Sequence, residues 1–243
     1  MACLVLPYGN SRTGLTEPIG MQMKFTKIVS IMLALAAAGT AQAREIATTL
    51  DLGTSGLGLH LSTPLAANLN ARVGLNVANY SYDGNTSDMD YDFKLKLKTV
   101  HALLDYHPFD GTFRITGGVV YNGNKIDARA RPNGGSYTVN GRSYDASLVG
   151  DLSGKIDFRK AAPYLGIGWG NALKEQGWSV GTDLGIMFQG APKTRLASNN
   201  CRAPALLCTQ LASDVVAENI ALADDAKDFK FYPVLRVGIS YRF

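Results

Sequence analysis

The sequence predicts an all-β fold: a closed, up-and-down antiparallel β-barrel of eight strands that spans a membrane, with long external loops and a short helix in the last of them. Three observations predict it. Apolar and polar residues alternate along most of the chain, the period of strands with an apolar and a polar face. The connections between those strands alternate short and long, as in barrels with tight turns on one side of a membrane and loops on the other. Aromatic residues gather near the strand ends, where water meets lipid.

The first 43 residues stand apart. Met23-Lys24-Phe25-Thr26-Lys27 is a short basic start, Ile28 to Ala38 is an uncharged apolar run of 11 residues, and Ala41 and Ala43 are the small residues of an A-x-A cleavage site. Together they read as a secretory signal peptide cut after Ala43. The run is too short for a spanning helix, which needs about 20 apolar residues. Residues 1–20, with Pro7, Gly9, Gly14, Pro18 and Gly20, precede Met21 and Met23 and fit an upstream start that the cell need not use. A true extended leader is the alternative.

The exported part is then 44–243. Losing Arg12, Lys24, Lys27 and Glu17 from 24 basic and 20 acidic residues leaves only a slight positive balance. No broad basic field remains, so nucleic acid is not a natural partner. This part is read as having no apolar segment long enough for a helical span. A membrane placement then requires a closed barrel, the other structure that pairs every backbone polar group in hydrocarbon.

The eight strands are expected at about 45–52, 56–62, 69–82, 90–107, 112–127, 161–170, 177–192 and 229–243. The last alternates best: Phe231, Pro233, Leu235, Val237, Ile239, Tyr241 and Phe243 oppose Tyr232, Arg236, Ser240 and Arg242. Parity changes in two places. Leu50 and Leu52 are even while Leu57 and Leu59 are odd, and Gly53-Thr54-Ser55-Gly56 between them reads as a tight hairpin, a bulged single strand being the alternative. Phe93, Leu95 and Leu97 are odd while Val100, Ala102, Leu104 and Tyr106 are even. Either a β-bulge sits near Thr99 or 90–97 rises above the membrane.

The connections 62–68, 108–111 and 171–176 are short, and 83–89, 128–160 and 193–228 are long. Both termini then face the periplasm. Tyr106, Phe113, Trp169, Trp178, Tyr241 and Phe243 form the periplasmic girdle. Tyr80, Tyr82, Tyr91, Phe93, Tyr121, Tyr164, Phe188, Phe229 and Phe231 form the outer one.

The inward polar set comprises Arg72, His101, Asp105, Arg114, Asp183 and Arg236. An eight-stranded barrel has an interior that side chains fill, so Arg–Asp pairing across the lumen is expected. A narrow channel for small or hydrophobic solutes is the alternative function. The chain has three His, and His60 and His107 fall near periplasmic strand ends. With no His in the long loops and no G-x-S-x-G or H-E-x-x-H motif, an enzyme is not expected, a lipid-modifying one being the form to consider. A secreted lipocalin-like binder is the reading outside the membrane.

Cys201 and Cys208, in an exported chain, predict a local disulfide. No metal or cofactor site is expected. The four Asp of 83–92 lack the EF-hand spacing and closing Glu, and read as a solvated turn. Lys94, Lys96 and Lys98 either plug the lumen or meet lipopolysaccharide phosphates from outside. Asp214, Glu218, Asp224 and Asp225 interleave with Val215, Ile220 and Leu222 at helical spacing. Tyr137, Val139, Tyr144 and Leu148 read as a hairpin prolonging the adjoining strands.

Tyr241-Arg242-Phe243 at the end of an alternating strand resembles the C-terminal signature of bacterial outer-membrane barrels. With Ala162-Pro163-Tyr164-Leu165-Gly166-Ile167-Gly168-Trp169-Gly170-Asn171 and Phe231-Tyr232-Pro233-Val234-Leu235-Arg236-Val237-Gly238, residues 44–243 are similar to the small OmpA/OmpX/OmpW-like class, within a widespread proteobacterial group. The resemblance implies the outer membrane of a Gram-negative bacterium, with Tyr241 and Phe243 read by the barrel-insertion machinery. The expected role is structural or surface-interacting. The expected partners are membrane lipid and lipopolysaccharide, and the expected state is a monomer.

Overall fold

The computed structural model describes residues 45–243 apart from 86–88 and 133–134. The leader, with Ala41 and Ala43, lies outside the described residues. β1 (Ala47–Gly53) turns sharply into β2 (Gly56–Ala66). Gly56 sits at φ 94°, where a side chain would be strained, so this tight turn requires glycine. β3 (Leu69–Asn85), β4 (Met89–Tyr106) and β5 (Phe113–Asn122) follow, and β6 (Lys125–Pro132) prolongs β5 beyond Gly123-Asn124. Next come the small hairpin β7 (Ser136–Val139) and β8 (Arg142–Asp145), then the single turn α1 (Ala146–Val149). β9 (Asp151–Asp157) leads into β10 (Ala161–Trp169). β11 (Gly177–Phe188) leads into β12 (Lys193–Asn199), then α2 (Ala205–Ala226) and β13 (Phe231–Arg242).

Eight of these strands make a closed antiparallel barrel in the order β1-β2-β3-β4-β5-β10-β11-β13. β13 closes onto β1 from Ala47↔Arg242 to Gly53↔Arg236. Beyond the ring, β3 and β4 continue and are joined by β6, β9 and β12 into one extended sheet. The 53–56 hairpin is therefore real, and the barrel strands lie close to their expected places.

Three local expectations are corrected, and one choice between alternatives is decided. β2 runs to Ala66, with a register shift between Pro64 and Ala66, so the first short connection is only a turn. β3 and β4 narrow the 83–89 connection to the segment between Asn85 and Met89. The β3–β4 register is unbroken from Leu69↔Tyr106 to Asn85↔Asp90, so no bulge lies at Thr99. Leu97, Thr99, His101, Leu103 and Asp105 all point inward, and the parity change marks where β4 leaves the apolar belt. Finally, the last-loop helix is not short. α2 has 22 residues and a mean hydropathy of 1.2 over its best window, long and apolar enough by length and composition alone to cross a membrane. It packs instead on β12 and the β7–β8 hairpin.

The outside of the ring is apolar. Val73, Val100, Leu104, Val119, Leu165, Leu184, Leu235 and Val237 are all exposed on it. A continuous apolar surface of this extent on a soluble monomer would drive association; in hydrocarbon it is the required surface. Val237→Arg is expected to destabilise the barrel by about 2–4 kcal/mol, the penalty for a cation at the bilayer midplane. Equilibrium unfolding in lipid vesicles measures it, and an unchanged midpoint would contradict a lipid-facing Val237.

Candidate functional site

Alternation along seven strands delivers one polar side chain after another into the lumen. The structure brings all six sequence-predicted residues into a single buried network. Arg72 of β3 sits between two carboxylates. It reaches Asp105 through Nε at 2.9 Å and Nη2 at 2.9 Å, and Asp183 through Nη1 at 2.8 Å and Nη2 at 3.0 Å. Arg114 meets Asp183 at 2.9 Å and donates to the Gly170 and Thr182 carbonyls. Arg236, 1 % exposed, lies 3.8 Å from Asp183, 3.3 Å from His101 Nδ1 and over the Tyr164 ring. Thr116 donates to Asp105 at 2.6 Å. Asp183 and Arg236 are direct cross-strand partners, so sheet register alone sets one contact.

The sequence reading missed the second half of the network. His60, placed near the periplasmic end, is fully buried in the lumen. Its Nε2 is 2.7 Å from Asp51, and its ring stacks on His101 with centroids 5.3 Å apart. Asn76 donates to Asp51 at 2.9 Å. The signal was present: Asp51 lies between Leu50 and Leu52, and His60 between Leu59 and Leu61, so parity already sent both inward. With Asp51 included, three guanidinium groups face three carboxylates, and the named charges balance. Two glycines make the fit. A Cβ on Gly58 would lie 2.1 Å from Asn76 Nδ2, and one on Gly74 would lie 2.3 Å from His60 Nδ1.

On the outer side of the charges the lumen closes over an apolar layer of Leu103, Val120, Ala162, Tyr164, Met187 and Val234. A cavity of ≈ 40 Å³ reaches the network from the end of the barrel that carries Gly170 to Leu173, and one of ≈ 10 Å³ lies by His101 and Arg236. Spaces of that size admit isolated water molecules. This polar, filled interior does not suit a lipocalin-like binder.

A cap packs on the extended sheet, against Leu152 of β9 and Leu196 of β12. Tyr137, Val139, Tyr144, Val149, Leu211 and Val215 form a separate core between the β7–β8 hairpin and α2. The hairpin thus packs on the helix, while β6 and β9 are the segments that prolong the barrel strands; Leu148 stays exposed. Tyr144 and Asn140 both donate to Asp214, the latter at 3.1 Å. Asn219 accepts from the Leu196 N–H at 3.0 Å, so α2 covers the free edge of β12. An S–S bond of 2.01 Å joins Cys201 to Cys208 at the start of the helix. The Tyr144 hydrogen bond holds the Asp214 carboxyl below its ordinary range, and burial beside Asp151 pushes the Tyr137 phenol up to about 12.

The girdles are thinner than expected. Trp178 packs edge-on against Tyr241, and Tyr241 against Phe243, at the end expected to face the periplasm. Tyr121, Phe188 and Phe231 face outward at the other. Tyr164, however, is buried in the lumen, and Tyr80, Tyr82 and Phe93 share the inward face of the extended sheet. His107 is buried beside Asn70 at 3.3 Å. Of the 83–92 carboxylates, Asp88 and Asp90 lie outside the described side chains, while Asp83 is exposed and Asp92 half-buried.

Fold and interior define a small membrane-type barrel with a packed, charge-paired lumen. No family model matches the sequence, and no curated protein matches it. Among solved structures the chain is similar to CarO2 of Acinetobacter baumannii, with a TM-score of 0.54, 22 % identity, and cover of 83 % of this chain and 100 % of that one. It is similar to CarO of the same organism at a TM-score of 0.54 and 22 % identity, covering 82 % and 98 %. The likeness is one of fold, that of small outer-membrane barrels.

Replacing Arg72 by Met leaves Asp105 and Asp183 without their main partner. A loss of about 3–5 kcal/mol is expected, as for a buried ion pair deprived of one member. Adding Asp183→Asn should recover part of it. Chemical denaturation of the two variants tests this, and additive losses would contradict the coupling. For the cap, a depressed Asp214 pKa stabilises at pH above the ordinary carboxylate value of about 4 and is lost as pH falls through the lowered one. Hydrogen exchange in 205–226 should therefore stay slow at pH 5 and rise only on stronger acidification. A rise on going from pH 7 to 5 would contradict it.

Proposed function

We propose that the chain is an integral outer-membrane barrel of a Gram-negative bacterium, of the OmpA/OmpX/OmpW-like kind. Its role is structural or surface-interacting, and its lumen is a strut rather than a conduit. One observation carries the reading: an apolar exterior encloses an interior whose charges are paired and whose outer end is filled by Met187, Leu103, Val120, Tyr164 and Val234. A pathway for ions would have to part the Arg72–Asp105–Asp183 contacts and the apolar layer together.

In this reading 1–43 is removed on export, and Tyr241 and Phe243, exposed at the periplasmic end, are presented to the insertion machinery. The cap and extended sheet are the parts that meet the surroundings, including lipopolysaccharide, and the barrel acts as a monomer. Catalysis forms no part of the reading. In planar lipid bilayers the purified protein is expected to give no discrete openings. Stepwise conductance from the unmodified protein would overturn the filled-lumen reading in favour of the narrow channel.

A further inference from the structure

The extended sheet presents a face that the barrel's architecture does not require. Residues directly opposite on neighbouring strands share a face. The register aligns Lys94, Asp127, Lys155 and Arg195 across β4, β6, β9 and β12. One pleat nearer the membrane, it aligns Lys96, Lys125, Asp157 and Lys193. Both rows lie on the outward face, because Lys94, Lys96 and Lys98 have the parity of exposed Val100 and Leu104. Asp127 accepts from Lys96 at 3.0 Å, and Asp157 lies 3.5 Å from Lys155. Among the described residues, no carboxylate lies within ion-pair distance of Lys94, Lys125, Lys193 or Arg195.

Two features point to an anion on this face. Lys96 stands directly opposite Lys125, and Lys155 directly opposite Arg195. Like charges in such positions repel. Asp127 and Asp157 neutralise one member of each pair, Lys96 and Lys155, and among the described residues leave Lys125 and Arg195 facing a like charge without a carboxylate of their own. The rows also border a shallow hollow of ≈ 370 Å³ lined by five cations, Lys94, Lys96, Arg129, Lys155 and Arg195, against two carboxylates, Asp92 and Asp127. Position then selects the anion. Val100 pairs with Tyr121 at the outer edge of the apolar belt. The Lys96 and Lys94 levels, those of the two rows, follow about 13 and 20 Å further along the strand at ordinary strand rise. Cations continuing a lipid-facing surface at that height meet headgroups, where lysine acts as a point charge for phosphate.

We propose that this face binds the phosphates of the glycolipid of the outer leaflet, that is, lipid A and the adjoining core of lipopolysaccharide. The inference rests on the membrane placement proposed above and deepens it by naming the face of the extended sheet that holds the glycolipid and the phosphates it recognises. Ammonium and guanidinium groups here take the place of the divalent cations that otherwise bridge neighbouring phosphates.

The test uses the full folded barrel, with lipid A as probe, in zwitterionic detergent and EDTA. Binding is read by native mass spectrometry or by retention on lipid A-loaded phosphatidylcholine vesicles. The unmodified protein should bind lipid A without divalent cations, and added salt should weaken the binding. Lys125→Gln, Lys155→Gln and Arg195→Gln combined should weaken it at least about tenfold, each cation near an anionic surface adding several-fold. A variant with the same number of charges removed elsewhere (Lys174→Gln, Lys227→Gln, Lys230→Gln) should bind normally. Dephosphorylated lipid A should bind weakly to all three proteins.

Equal lipid A binding by the Lys125/Lys155/Arg195 variant overturns the proposal and leaves the face to a soluble acidic partner. Equal binding of dephosphorylated lipid A overturns it also. Failure of the unmodified protein to insert into phosphatidylcholine vesicles overturns the membrane placement and this inference together. Insertion with unchanged lipid A binding overturns this inference alone.

Discussion

The seam between β1 and β13 is the constraint on which the rest of the structure depends. A strand in hydrocarbon has no water to satisfy its N–H and C=O groups, so an open edge there is ruled out and the sheet must close. The pairing from Ala47↔Arg242 to Gly53↔Arg236 achieves this with the two ends of the barrel sequence. Once the ring is closed, strand period leaves each residue only two destinations, lipid or lumen. A slip of one residue anywhere would send arginines to lipid and leucines to the lumen, so register and composition enforce one another.

Closure also fixes the volume inside, and the side chains there must fill it without leaving charge unpaired. The solution pairs groups both on neighbouring strands and on strands across the ring. Arg72 on β3 contacts Asp105 on β4 and Asp183 on β11, and Arg236 on β13 reaches His101 on β4. Such contacts brace the ring across its diameter, which a purely apolar filling would do with less directional preference. Gly58 and Gly74 show how tightly the space is used, since each yields its side-chain volume to a neighbouring polar group. The apolar layer around Met187 then separates this network from the cap, whose own small core makes it a distinct packing unit.

Much of the barrel was legible in the sequence because lipid imposes a strict rule on every second residue. Val237 and Arg236 declare their faces without knowledge of their partners, and the same rule marked the six network residues. The rule weakens where lipid ends. Above the belt Phe93 and Leu95 turn inward and Lys94 and Lys96 outward, reversing the apparent parity with no bulge in the backbone. Tyr80 and Tyr82 were misplaced for the same reason, since an aromatic near a strand end need not face lipid. Tyr164 was misplaced against its own alternation with Leu165, where the girdle pattern was given precedence over parity. The register joining Lys94, Asp127, Lys155 and Arg195 was not legible, because it depends on which strands prolong which, a matter of three-dimensional pairing. The length of α2 escaped notice because Asp214 and Glu218 interrupt its apolar character, and both serve contacts to the hairpin.

The chain contains two tryptophans, Trp169 and Trp178, and both lie on the outside near the end of the barrel where β13 finishes, 49 % and 75 % exposed. Their surroundings report directly whether the barrel wears its apolar side outward in lipid. With the protein inserted in bilayers whose acyl chains carry bromine at defined depths, tryptophan emission should be strongly quenched, most by bromines near the headgroup end of the chain. Aqueous acrylamide should have little effect. Strong acrylamide quenching with no response to brominated lipid at any depth would mean that this surface faces water, and the inside-out arrangement would be wrong.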